Sequence, residues 1–215
     1  MLGDINTTQA IVLLRHAKAI KNEQKRHGGN GSKLSESATR EIQKVSSRLS
    51  SLPYKFDNIF YSPRIQCEQT AKILSKQLNM IATETREIEP ISLGVVDGLS
   101  DEEVANEYPE ICDQLGKWRN GEIEINQLAI PQMTNCHEFY GRGKIFIDNI
   151  IISKKSVIIL ATRSIMVLLM NILLGRNSQI GGNYREIKWA NAEFAVFTHS
   201  GIGKSFHLDI STLRI

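Results

Sequence analysis

Two residues at the end of one apolar stretch have the clearest potential for chemistry. Residues 11–14 form a short apolar run that is typical of a buried strand, and Arg15 and His16 follow it directly. Proteins of the α/β class bind ligands outside the carboxyl ends of their strands. The guanidinium group of Arg15 matches phosphate oxygens, and the imidazole of His16 is a nitrogen nucleophile that titrates near neutral pH. The pair therefore predicts an anion site with His16 as its reacting group.

Apolar strands alternate with helical patterns along the rest of the chain. Ser62 and Pro63 are suited to the cap and first turn of one helix. The helical patterns cover residues 38–52, 63–78, 100–104, 135–153 and 165–174, and the strand patterns cover residues 11–14, 56–61, 80–88, 157–161, 185–189, 193–198 and 205–210. This alternation predicts an α/β fold, namely a three-layer α/β/α sandwich whose mainly parallel sheet carries helices on both faces.

Two segments lack a strong period. Residues 18–32 are polar and contain glycine, so they are predicted to form a loop. A second Arg-His-Gly sequence at residues 26–28 follows no strand, and we interpret it as solvated loop. Residues 105–135 are expected to form a loop-rich excursion with short helices that acts as the lid of a cleft. The whole chain, residues 1–215, is predicted to be a single domain.

Composition argues against several classes of protein. The net charge is only +3 without a basic run, which does not favour nucleic-acid binding. The longest apolar run, residues 165–170, is too short to cross a membrane, and the polar first ten residues predict no secretion signal. Cys67, Cys112 and Cys136 show no disulfide or zinc spacing and indicate reduced thiols. We therefore expect a cytoplasmic protein without a bound metal.

Several motifs, in order, resemble those of the histidine phosphatase superfamily, which has the phosphoglycerate mutase-like fold. They are IVLLRHAKA, LSESATREI, YSPRIQCEQTAKIL, LGVVDGLSDEEV followed by EYPE, VIILATRSIMVLLMNILLG and WANAEFAVF. The resemblance implies that fold, and it implies a histidine that takes the phosphoryl group without any cofactor. It also implies that the preceding arginine, a second arginine and a second histidine bind the phosphate, while a carboxylate protonates the leaving oxygen.

The nucleophile motif is intact, but the second arginine is not in its usual place. Arg15 and His16 match the family pattern as they stand, which implies phosphate binding by Arg15 and phosphoryl acceptance by His16. The second arginine normally lies three residues after the proline of the Ser-Pro turn, where this chain has Gln66. Arg64 lies two residues earlier. On a helix that shift is a rotation of about 200°, so a helical Arg64 is expected to point away from the site.

The acid and the second histidine are also replaced. The position of the family carboxylate holds Pro90, and Glu89 beside it is the candidate acid. The position of the second histidine holds Thr162, and Arg163 follows it. Thr162 and Gln66 can each donate one hydrogen bond, so both remain candidate phosphate ligands together with the nearby arginines.

Three functional hypotheses follow. The first is a pocket for phosphate or a phosphorylated small molecule, with phosphatase activity weakened, lost or repurposed. The second is an active phosphomonoesterase in which Arg64, Arg163 and Glu89 compensate for the replaced groups. The third is a non-catalytic interaction module. The sequence leaves the oligomeric state open, with a homodimer as one alternative, and does not identify the substrate.

Overall fold

A six-stranded mixed sheet lies at the centre of the computed structural model, which describes residues 8–176, 189–199 and 206–209. Its strands are β1 (Gln9–Arg15), β2 (Asn58–Tyr61), β3 (Ala82–Glu84), β4 (Val157–Ala161), β5 (Phe194–His199) and β6 (His207–Asp209). Their order across the sheet is β3-β2-β4-β1-β5-β6. The first four strands in this order are parallel, and β5 and β6 are antiparallel to their neighbours. The predicted α/β fold with a mainly parallel sheet is confirmed.

Helices connect the strands and cover the sheet. They are α1 (Ile20–Glu23), α2 (Ala38–Ser50), α3 (Ile65–Leu78), α4 (Asp101–Glu107), α5 (Pro109–Asn120), α6 (Cys136–Ser153) and α7 (Arg163–Leu173). Single 3₁₀ turns lie at Arg86–Ile88, Gly94–Val96 and Ile125–Gln127. In the described part of the chain, no helix has the length and apolar character needed to span a bilayer.

The two faces of the sheet bury separate hydrophobic clusters. Successive side chains of a strand point to opposite faces, so Ile11 and Leu13 pack on one side while Val12 and Leu14 pack on the other. The first side is covered by residues of α5, α6 and α7, and the second is covered by α2 and α3. This arrangement gives the three layers that the strand–helix alternation predicts.

Several local predictions were wrong, and one lies largely outside the described residues. The strand predicted at 80–88 is only three residues long and is followed by a 3₁₀ turn. The helix predicted to begin at Pro63 begins at Ile65 instead, with Arg64 at its N-cap. The predicted loop at 18–32 contains α1. Of the strand predicted at 185–189, only Trp189 is described.

Candidate active site

The carboxyl ends of two neighbouring parallel strands meet at one cavity. Arg15 ends β1 and pairs in register with Ala161, which ends β4. Residues 16 and 162 therefore leave the sheet side by side, as parallel pairing requires. The cavity has a volume of about 220 Å³ and is lined by residues 15–16, 21–22, 26–29, 64, 90–91, 93, 118–119 and 162–164. A pocket therefore lies at the end of the first strand, where the sequence predicted an anion site, and several loops contribute to its wall.

His16 is held in the wall of this cavity as a neutral imidazole. The residue is only 2% exposed, and its Nδ1 lies 2.8 Å from the carbonyl oxygen of Ala17. A carbonyl only accepts hydrogen bonds, so Nδ1 carries the proton and Nε2 keeps its lone pair. Burial, reinforced by the Arg15 guanidinium, lowers the pKa of His16 to about 3. An uncharged ring with a free lone pair is the form in which histidine acts as a nucleophile.

The beginning of α7 forms the opposite part of the wall. Thr162 is the N-cap in extended backbone geometry, and Arg163 is the first helical residue. Both line the cavity together with Ser164. The first amide groups of a helix point out of its end and favour an anion. The Thr162 hydroxyl is buried and has no hydrogen-bond partner among the described residues, so it is placed to donate to a ligand.

Arg64 lines the same cavity, contrary to the rotation expected of a helical residue. Its backbone is extended (φ −103°, ψ 140°), so the angular spacing of a helix does not apply to it. The side chain is 13% exposed, and Nη2 lies 3.4 Å from the Glu89 carboxylate. Arg64 therefore joins Arg15 and Arg163 at the pocket, while Glu89 contacts the guanidinium from outside the lining.

Gln66 and Glu89, unlike the three arginines, do not line this cavity. Gln66 is fully buried, its Oε1 accepts a hydrogen bond from the Ser32 amide at 3.2 Å, and it is not one of the described residues that line the cavity. It supports the loop behind the pocket. Glu89 lines an adjoining cavity with Arg86 and Arg142.

The cavity also contains residues that the sequence did not identify. Lys21 in α1 donates to the Gly28 carbonyl oxygen at 2.7 Å, and burial followed by the nearby Arg64 guanidinium lowers the pKa of its ammonium group. Residues 26–28 line the cavity too: Arg26 is exposed, as predicted for a solvated loop, but the segment also belongs to the pocket. Trp118 and Arg119 of α5 complete the rim. In the sequence, the second Arg-His-Gly motif at residues 26–28 was the one local indication that this loop belongs to the pocket.

The electrostatic character of the lining favours an anionic ligand. Six cationic side chains line the cavity, and none of the described lining residues is acidic. The cations are Arg15, Lys21, Arg26, Arg64, Arg119 and Arg163. Among these cations, Arg26 pairs with Glu103, Arg64 with Glu89 and Arg119 with Asp101, and none of these three carboxylates lines the cavity. Within the described residues, no cluster of three or more histidine, cysteine or acidic side chains is arranged to hold a metal ion.

Solved structures of several phosphatases share this fold. The mycobacterial glucosyl-3-phosphoglycerate phosphatase is 16% identical, with 97% of this chain and 100% of that chain covered and a TM-score of 0.77. Its complex with VO3 is 19% identical over 96% of this chain and 100% of that chain, also with a TM-score of 0.77. A protein described as a putative alpha-ribazole-5'-P phosphatase from Escherichia coli is 13% identical, with 97% of each chain covered and a TM-score of 0.77.

The sequence comparisons identify the family to which the chain belongs. No curated protein matches the chain. The family model described as the histidine phosphatase superfamily (branch 1) matches residues 11–209, which is most of the chain. The match includes the end of β1 with Arg15, His16 directly after it, and the strand before Thr162. The resemblance found in the sequence motifs is therefore confirmed, and this chain belongs to branch 1 of the histidine phosphatase superfamily.

Proposed function

We propose that this protein is a phosphomonoesterase of small phosphorylated molecules that acts through a phosphohistidine at His16. The observation that carries the proposal is the convergence of Arg15, Arg64 and Arg163 on the cavity whose wall holds the neutral His16 ring. Phosphoryl transfer depends mainly on positioning and on neutralising the charge of the phosphoryl oxygens. These four residues provide the nucleophile and the positive charges that the reaction requires.

In the first step, Nε2 of His16 attacks phosphorus while the bond from phosphorus to the ester oxygen breaks. The arginines hold the phosphoryl oxygens, and the Thr162 hydroxyl with the first amides of α7 supplies further donors. In the second step, water attacks the phosphohistidine, the phosphorus–nitrogen bond breaks and inorganic phosphate leaves. Glu89 fits a positioning role, since it contacts Arg64 and does not line the cavity.

A phosphate-binding protein with little or no turnover is the second candidate. It is supported by the two uncharged replacements, Gln66 and Thr162, and by the position of Glu89 in the adjoining cavity. Loss of one preorganised donor typically lowers a rate by a factor on the order of 10² to 10³. Both candidates use the same pocket, so turnover distinguishes them.

Two further features support a lid at residues 105–135 and a cytoplasmic location. Trp118 and Arg119 reach the rim from the segment 105–135, which supports its proposed role as a lid. The three cysteines are free, as is usual in a reducing compartment, and this supports a cytoplasmic location.

Hydrolysis of 4-nitrophenyl phosphate is the direct test of the proposed function. We expect the purified protein to release phosphate. We expect vanadate to inhibit competitively, because vanadate resembles the phosphoryl group in the transition state of the transfer. The complex of the mycobacterial relative with VO3 supports this choice of probe. Absence of turnover together with a vanadate-induced rise in Tm would favour the binding protein instead. Absence of both effects would argue for the interaction module.

Lys21 offers a separate test of the pocket as a phosphate site. Lys21→Met keeps the length of the side chain but removes its charge beside Arg15 and Arg64. A hydrogen bond from a charged group contributes roughly 1.5–3 kcal/mol, so the Kd for vanadate is expected to rise about 10- to 100-fold. Isothermal titration measures this change. Lys33→Met, at an exposed position of the same segment, is the matched control and should leave the Kd unchanged.

A further inference from the structure

His27 occupies a fixed place in the wall of the cavity that also contains His16. Its backbone amide donates to Leu99 at 2.8 Å, and its carbonyl accepts from the Gly98 amide at 3.1 Å. The two hydrogen bonds join the loop of residues 24–32 to the segment that leads into α4. The His27 side chain is 11% exposed and lines the cavity. A titratable ring is thus held at the pocket by main-chain contacts that do not depend on any ligand.

Asp101 orients the His27 ring. Its Oδ1 lies 2.9 Å from Nε2 of the imidazole, so Nε2 is the nitrogen that keeps a proton directed at the carboxylate. A carboxylate in this position fixes the tautomer of a histidine and stabilises the imidazolium when the ring gains a second proton. Nδ1 is left as the nitrogen through which a proton can be exchanged.

Arg119 contacts the same ring in a way that does not block Nδ1. Its Nη2 lies 3.2 Å from Nε2 and 3.4 Å from Nδ1 of His27. An atom at nearly equal distances from both nitrogens lies over the face of the ring, because in the ring plane it would overlap the carbon between them. Among the described residues, Arg119 alone comes within hydrogen-bond distance of Nδ1. Within the described residues, the in-plane direction of Nδ1 therefore carries no hydrogen bond, and His27 lines the cavity.

We propose that His27 is the general acid that protonates the leaving oxygen of the substrate. This assignment rests on the proposed phosphomonoesterase function and supplies the group that Glu89 does not bring to the cavity. As Nε2 of His16 bonds to phosphorus and the ester bond breaks, the proton on Nδ1 of His27 passes to the ester oxygen, and the product leaves as a neutral alcohol. The now neutral His27 accepts a proton from the water that attacks the phosphohistidine, which restores both rings.

The charges around His27 define how this acid responds to pH. The groups that face the ring are Arg119 from α5, Asp101 from α4 and Asp97 from the preceding turn. Burial and then Arg119 lower the pKa of His27, whereas Asp101 and Asp97 raise it. A bound phosphoryl dianion raises it as well, since an opposite charge favours the imidazolium. Only the protonated ring can donate, so the rate for an ester that needs an acid should fall as the pH rises through this pKa.

The test uses two aryl esters, phenyl phosphate and 4-nitrophenyl phosphate, whose leaving groups differ in their need for a proton. The 4-nitrophenolate ion leaves readily without one, whereas phenolate leaves poorly. For His27→Gln we expect kcat/KM to fall by a factor on the order of 10² to 10⁴ with phenyl phosphate, and by less than about tenfold with 4-nitrophenyl phosphate. His137→Gln, at an exposed position in the first turn of α6, is the matched control and should change neither value.

Two further variants separate catalysis from a structural role. Asp101→Asn leaves His27 in place but removes the carboxylate, so the pH at which phenyl phosphate hydrolysis declines should move to a lower value. Glu89→Gln should affect both esters equally if Glu89 acts only through Arg64. Equal losses with both esters in His27→Gln, or an unshifted pH profile in Asp101→Asn, would overturn the assignment while leaving the phosphatase function intact. Failure of the wild type to hydrolyse 4-nitrophenyl phosphate would remove the proposed function and this assignment together.

Discussion

His16→Ala is expected to lower kcat for 4-nitrophenyl phosphate by a factor on the order of 10⁴ or more. The change removes the nitrogen that accepts the phosphoryl group, and the wall of the cavity offers no equivalent replacement in the same position. The ring is neutral because its pKa is about 3, so the loss concerns a nucleophile and not a charge that binds substrate. Initial rates of phosphate release measure the effect directly.

Two controls make the His16 result interpretable. His137→Ala removes a histidine at an exposed position and should retain the wild-type rate. Thermal unfolding of His16→Ala, with and without vanadate, shows whether the variant is folded and still binds an anion, since Arg15 and Arg64 remain. A folded His16→Ala protein that keeps more than about a tenth of the wild-type rate would show that the phosphohistidine route is incorrect.

Arg64→Gln is expected to lower kcat/KM by a factor on the order of 10² to 10³. Arg64 lines the cavity. The position of the family's second arginine, two residues further on, holds the uncharged Gln66, so the pocket depends on Arg64 for positive charge on that side. Arg86→Gln is the matched control, because Arg86 is exposed and borders the adjoining cavity together with Glu89. Similar rates for Arg64→Gln and the wild type would show that Arg64 is only a structural partner of Glu89.

The two central strands and the place of His16 at the end of one of them could be predicted from the sequence because their signals are local and strong. The apolar runs at residues 11–14 and 157–161 are long enough to be buried on both faces, and both occur as central strands. The charged residues directly after them therefore had to lie at one edge of the sheet.

The position of Arg64 could not be predicted in the same way. Ser62 and Pro63 are a good local signal for the start of a helix, but the helix starts two residues later. The Arg64 amide instead donates to the Ser62 carbonyl oxygen at 2.7 Å in a tight turn, with Arg64 itself extended. Because residues 62–64 form a turn and not the first turn of the helix, the Arg64 side chain faces the cavity.

The loop residues were missed for a different reason. Lys21 and His27 lie in a polar segment without hydrophobic periodicity, and Arg119 lies on a helix whose period does not show what it faces. Contacts across the chain determine their positions. His27 meets Asp101, which is distant in sequence, only because the loop pairs with residues 98–99. No spacing rule connects such residues, so the sequence indicated His16 and the groups that follow the central strands but not these loop residues.

The buried Gln66 restricts how this protein can be altered by mutation. Gln66→Arg is the simplest reversion toward the family pattern, yet Gln66 is fully buried and the Ser32 amide donates to its Oε1. Gly31 has a φ of +94°, and a Cβ atom there would lie only 2.2 Å from Gln66 Oε1, which shows how closely the loop approaches. A buried charge without a partner also costs several kcal/mol. Reversion therefore requires the loop to be rebuilt at the same time, so an evolutionary or engineered return to the usual arginine is a multi-step path.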